Sequence, residues 1–210
     1  MAGNKFSRAW LLSPSFGIGL FLILYLLATR YYPGGSQADQ YSAGFSWINN
    51  YWCNLLNENA INGMANTARP VALAAMGVLS ISLVLFWVIF PFHAGFNKAG
   101  RKVIQVAGIL SMMTGMFLFT SYHDMVVNVA TAVGLIPVIG TFAGLRRLGW
   151  NKLYWGGLFI LVLIALNNIL YYGEGLQRYL PLVQKFTFLY FLGWICLINL
   201  EIYAIERKNV

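Results

Sequence analysis

The chain has 210 residues, of which 59% are hydrophobic and 10% charged, and its formal net charge is +8. A soluble domain carries roughly a quarter charged residues, so a water-soluble protein is excluded and an integral membrane protein is expected. The basic residues lie in short segments beside apolar runs, where anionic headgroups attract them, and no nucleic-acid-binding motif accompanies them; no nucleic-acid partner is expected.

A helix crosses a hydrocarbon core of roughly 30 Å with about 20 mostly apolar residues, and lipid leaves an exposed backbone without hydrogen-bond partners, so such runs must be helical. Six qualify: 10–29, 70–90, 103–121, 124–145, 153–172 and 181–205. The expected fold is all-α, a polytopic membrane bundle of six transmembrane helices forming one domain over 1–210. The first run has the look of a signal peptide, but no small-x-small cleavage site follows it and five further spans do, so it reads as retained. Ser13 with Gly17 and Ser15 with Gly19 give it small-residue faces for helix packing.

After span one, Tyr31-Tyr32-Pro33-Gly34-Gly35-Ser36 reads as a turn. Within the long connection that follows, Trp47, Ile48, Tyr51, Trp52, Leu55 and Leu56 recur at the spacing of one helical face, with Ser46, Asn49, Asn50, Asn54, Asn57 and Glu58 opposite. This predicts an external amphipathic helix over about 44–59, lying along the membrane surface. Asn62, Gly63, Asn66 and Thr67 then lead to Pro70, a good first-turn residue for span two. In span three, Ala107, Ser111 and Gly115 form a small-residue face. Ser121-Tyr122-His123-Asp124 makes a tight turn into span four, where Asn128 lies one helical turn inward and Pro137 predicts a kink. Asn167, Asn168, Tyr171 and Tyr172 end span five, and Glu174 and Arg178 occupy the last loop. No internal repeat of the kind that marks inverted-repeat transporters is visible.

Lys5, Arg8, Lys98, Arg101, Lys102, Arg146, Arg147, Lys152, Arg207 and Lys208 fall on one side of the spans, and Arg30, Arg69, Arg178 and Lys185 on the other. The excess marks the cytoplasm, so the expected location is a cell membrane, multi-pass, with both termini cytoplasmic. The polar residues then crowd the external side. Amides inside hydrocarbon are costly unless they face protein or a wet cavity, so Asn128, Asn167 and Asn168 are expected to point inward, lining an outward-facing polar pocket together with Tyr171, Asn54, Arg69 and Arg178. Each also has a plainer role: Asp124 with Ser121 as a helix-start cap, the asparagines as interhelical cross-links, and Glu58 and Glu174 as solvated carboxylates.

The remaining chemistry is sparse. His93 and His123 sit at opposite membrane faces and cannot share a haem or a metal, and no HExxH or clustered Cys/His spacing is present; no metal and no cofactor are expected. Cys53 and Cys196 lie at different depths and read as unpaired thiols. Ser121 and His123 are two residues apart and do not face each other on a helix, and no GxSxG, Walker or dinucleotide motif occurs. Catalytic candidates are limited to His123 as base with Asp124, Glu58 or Glu174.

Asn49-Asn50-Tyr51-Trp52-Cys53-Asn54-Leu55 leading through Asn66-Thr67-Ala68-Arg69-Pro70 into span two, with His123-Asp124 opening span four after Gly115-Met116-Phe117, resembles the bacterial six-helix integral membrane family of unknown function catalogued as domain of unknown function nine-nine-eight. The chain is more distantly similar to the Frag/DRAM/Sfk group. It departs from the pattern in having Cys53-Asn54 where a Ser and an acid are common, and Phe119-Thr120 where a Pro is common. The resemblance implies a bacterial inner-membrane location and assigns no reaction; the distant group implies lipid handling, by analogy alone. Two functions stay open: binding of a lipid headgroup, small amphiphile or membrane-protein partner in the outer pocket, or a membrane-embedded hydrolase or transferase acting on a lipid-like substrate.

Overall fold

A computed structural model of the chain describes residues 8–115, 117 and 123–208. The 121–122 part of the turn before span four lies outside them, as do the side chains of His123 and Asp124. Among the described residues the architecture is all-helical: α1 (Arg8–Leu11), α2 (Ser13–Arg30), α3 (Arg69–His93), α4 (Lys98–Gly115), α5 (His123–Arg147), α6 (Asn151–Tyr172) and α7 (Leu180–Lys208). Stretches of five of these are long and apolar enough to cross a membrane, within α2, α3, α5 and α6 and over Gln177–Lys208. This is a multi-pass membrane protein. Span three, the remaining expected one, falls on α4, which opens with Lys98, Arg101 and Lys102 and whose apolar continuation toward 121 is mostly outside the described residues.

The chain forms two compact units, Met1–Gly19 with Gly77–Gly156 and Gly193–Val210, and Leu20–Met76 with Gly157–Leu192. In the first unit, α4 packs on α5 through small residues. A Cβ on Gly140 would lie 2.6 Å from Ile104, one on Gly144 2.6 Å from Phe90, and one on Gly134 2.8 Å from the Ser111 hydroxyl, which donates to the Ala130 carbonyl at 2.9 Å. These are the contacts that small-residue spacing makes available to membrane helices, where dispersion and hydrogen bonds replace the hydrophobic effect. α5 runs unbroken through Pro137, and the Thr141 hydroxyl donates to the Pro137 carbonyl at 2.8 Å while accepting from Trp87 Nε1 at 3.3 Å. Asn199, fully buried, accepts from the Ser15 hydroxyl and donates to the Leu11 carbonyl, both at 2.7 Å. His93 Nε2 lies 3.4 Å from Glu206.

The second unit contains the largest departure from the sequence reading. No amphipathic helix spans 44–59: residues 47–49 form a turn, Tyr51 is extended, and only a 3₁₀ turn over Trp52–Leu56 is helical. The cause is local competition for the backbone. Ser46 N–H donates to Asn50 Oδ1 (2.8 Å), Asn49 N–H to the Ser46 hydroxyl (3.2 Å) and Tyr51 N–H to Asn54 Oδ1 (2.7 Å). Side-chain oxygens thus take the amides that a helix would need. The apolar stripe divides accordingly: Leu55 and Leu56 are buried, while Trp47 and Ile48 are exposed. Antiparallel bridges Gly34↔Ala43 and Asn59↔Ala65 fold the loop on itself. Gly35, at φ +82°, has the Asn62 amide so near that a Cβ would sit 2.4 Å from it, so only glycine fits.

The glycines give a paired test. Gly77 lies within α3 with nothing within 4 Å of an added Cβ, whereas Gly144 faces Phe90. Gly77→Ala should raise stability by about 1 kcal/mol, the helix-propensity difference, and Gly144→Ala should lower it; melting temperatures in one detergent check both signs.

Candidate functional site

The second unit holds the polar features that bear on function. Its loop asparagines are used by the backbone. Asn50, fully buried, donates from Nδ2 to the Gly35 carbonyl at 2.8 Å. Asn66 Nδ2 serves the carbonyls of Asn54, Leu55 and Asn57 at 3.0, 3.2 and 2.9 Å, and its Oδ1 accepts from Ala68 N–H at 3.2 Å. One amide thereby ties both ends of the 3₁₀ turn to the start of α3. Below it Trp52 packs edge-on to Phe21, Tyr25 and Phe188, and the Tyr25 hydroxyl donates to the Trp52 carbonyl at 3.1 Å.

Lys185 lies one turn into α7 in the same unit. It is only 5% exposed. Its ammonium donates to the main-chain carbonyl of Asn50 and, at 2.9 Å, to that of Pro181, and lies 5.8 Å from the centre of the Phe45 ring. Among the described residues no carboxylate pairs with it. In the same unit, the Trp52 indole N–H and Asn167 Oδ1 are buried without a hydrogen-bond partner. Burial pushes the Cys53 thiol up; its own backbone N–H, the Lys185 charge and the Asn54 N–H pull in the opposite direction. Burial also raises Tyr51 and Tyr32.

The residues expected to line a pocket are distributed as follows. Asn167 is half-buried between α6 and α7, its Nδ2 donating to the Leu163 carbonyl and the Thr187 hydroxyl, both at 2.7 Å. Asn168 is exposed, not turned inward, because its amide is satisfied by the Ile164 carbonyl of its own helix at 2.9 Å. Asn128, in the first unit, is likewise exposed. Asn54 is buried, with its side chain committed to Tyr51 N–H. Arg69 pairs with exposed Glu58 at 3.3 Å and keeps a buried Nε without a partner. Tyr171 is exposed, edge-on to Tyr172, and Arg178 stacks on Tyr179 at the surface. Glu174 is exposed. Of the expected set, then, Asn54, Asn167 and Arg69 are drawn into the packed part of the second unit, and Asn168, Tyr171 and Arg178 are not.

Lys185 is what the sequence reading passed over. A lysine four residues inside an apolar run long enough to cross a membrane is a functional candidate by default, and charge counting alone groups it with the loop-side cations. Among the described residues no three His, Cys, Asp or Glu side chains come together as a metal site. No protein-family profile, curated protein or solved structure matches the chain.

Two measurements follow from this geometry. Asn66→Ala leaves three carbonyls short of a donor and should cost about 2 kcal/mol or more, whereas Asn62→Ala, whose side chain makes one exposed bond to Met64 N–H, should cost far less; thermal unfolding in detergent distinguishes them. The thiolate is the reactive form, and a raised thiol carries less of it near neutrality. In a Cys196→Ser background, Cys53 should therefore alkylate more slowly than free cysteine at pH 8, with the rate still climbing where that of free cysteine levels off. A rate equal to that of free cysteine contradicts the half-buried placement.

Proposed function

We propose that this chain is a non-enzymatic integral membrane protein that binds the anionic headgroup of a membrane lipid or similar amphiphile beside Lys185. The buried ammonium carries the reading. Taking an ion out of water costs several kcal/mol unless it is paired, and two carbonyl dipoles and a ring face offset only part of that. A phosphate or carboxylate group would supply the missing charge, and the same unit holds a buried Trp52 N–H without a partner. The aromatic surroundings of Trp52, Phe188 and Phe45 suit a molecule that is polar at one end and apolar along its length.

In the same reading the 31–68 loop is external and both termini are cytoplasmic, on the strength of ten Lys and Arg against four. The motif resemblance to the bacterial six-helix family supports an inner membrane as the location in this reading. The hydrolase or transferase alternative draws less support, since Glu58 is engaged by Arg69 and Glu174 is exposed.

Native mass spectrometry of the detergent-purified protein, before and after detergent exchange, is the test. Lys185→Met should retain one anionic lipid fewer than the wild type, with an unchanged or raised melting temperature, because an apolar replacement removes an unpaired buried charge. Equal lipid retention by both proteins, or a Lys185→Met variant destabilised to the same degree with and without lipid, would mean that the lysine is only a clamp between the loop and α7.

A further inference from the structure

We infer that the first unit carries a second, separate anionic-lipid site, built from three arginines held on aromatic rings. Arg101 near the start of α4 lies 4.6 Å over the Phe92 ring, Arg147 at the end of α5 lies 4.4 Å over Phe96, and Arg146 beside it lies 5.4 Å over Tyr154 at the start of α6. Arg147 also donates to the Gly95 carbonyl at 3.4 Å. The guanidiniums belong to elements that already meet here, since Gly144 and Gly140 admit Phe90 and Ile104 against α5.

Stacking matters because it fixes direction as well as place. A guanidinium held over a ring is attracted to the ring face and keeps N–H groups for other acceptors, and its planar fork can grip two oxygens of a phosphodiester. Lys98, Lys102 and Lys152 add charge in the same segments, and between residues 92 and 102 and between 146 and 154 there is no Asp or Glu. Among the described residues none of the six cations forms an ion pair. Three of them fall within the first five residues of α4, where they oppose the helix dipole. Six cations outside any ion pair at helix ends, three of them held over rings, are complementary to phosphate groups at headgroup depth. The aromatic residues Phe92, Phe96, Trp150 and Tyr154 at those helix ends set that depth, as interfacial aromatics do. The occupant is an anionic phospholipid, and the site does not depend on Lys185.

The test uses the full chain in a neutral detergent, with half-saturation read from the melting temperature during titration of phosphatidylglycerol, phosphatidylcholine or inorganic phosphate. Phosphatidylglycerol should still stabilise the Lys185→Met variant, in which the site beside Lys185 is removed, and the other two should not. Joint replacement Arg101→Lys, Arg146→Lys and Arg147→Lys keeps every charge but loses the stacked fork, and should raise the half-saturating concentration about tenfold. Joint replacement Lys98→Gln, Lys102→Gln and Lys152→Gln removes three charges and should raise it less. Should the arginine variant not fold, Phe96→Leu, which removes a ring and no charge, should weaken binding in its place. Equal stabilisation by phosphatidylcholine or by phosphate, or an arginine-to-lysine variant that binds as the wild type does, overturns the site and leaves a diffuse basic surface.

Discussion

The constraint on which the rest of this molecule depends is that hydrocarbon offers polar groups no partner. It makes the apolar runs helical, and it also governs the polar residues that remain. Ser111, Thr141 and Asn199 each spend their hydrogen bonds on a main-chain carbonyl within the first unit. In the second unit the same accounting falls on the 31–68 loop, whose backbone has little helix or sheet to satisfy it. Asn50, Asn54 and Asn66 do so instead, and because their bonds are to fixed backbone positions the loop acquires a definite shape. That shape presents the Asn50 carbonyl to Lys185.

Sequence periodicity located the helices well because the signal was long. Spans two, four, five and six begin or end within a few residues of α3, α5, α6 and α7. It failed over 44–59 for a physical reason that the residues themselves carried. The stripe from Trp47 to Leu56 has helical spacing, but Ser46, Asn49, Asn50 and Asn54 compete for backbone amides, and in a segment this short tertiary context decides the outcome. A period of 3.6 in an Asn-rich segment is therefore weaker evidence for a helix than the same period in alanine, leucine and glutamate.

The site was legible in part. Asn167 lies between α6 and α7, where its amide, one to two turns from a helix end, finds a partner across the interface in Thr187. Asn168 has the same residue type and depth, yet its own helix satisfies it through Ile164. Nothing in residue type separates the two; only the direction of the helix face does. Lys185 is the opposite case, legible in principle from its position inside an apolar run and overshadowed by the more numerous asparagines.

Two kinds of cation thus appear in one chain, and their settings bear on what each can hold. Lys185 is a compact ammonium, nearly excluded from solvent and met by carbonyl dipoles, so a bound anion would gain from a low local dielectric but must reach it past loop and aromatic side chains. Arg146 and Arg147 are exposed and ring-stacked, so each contact is weaker through solvent screening, while the planar fork selects for phosphate geometry. Raising ionic strength should consequently loosen binding at the arginines well before it touches binding at Lys185. A salt titration of lipid retention in the Lys185→Met and Arg→Lys variants reads the two sites apart, because burial and screening act on them in opposite proportion.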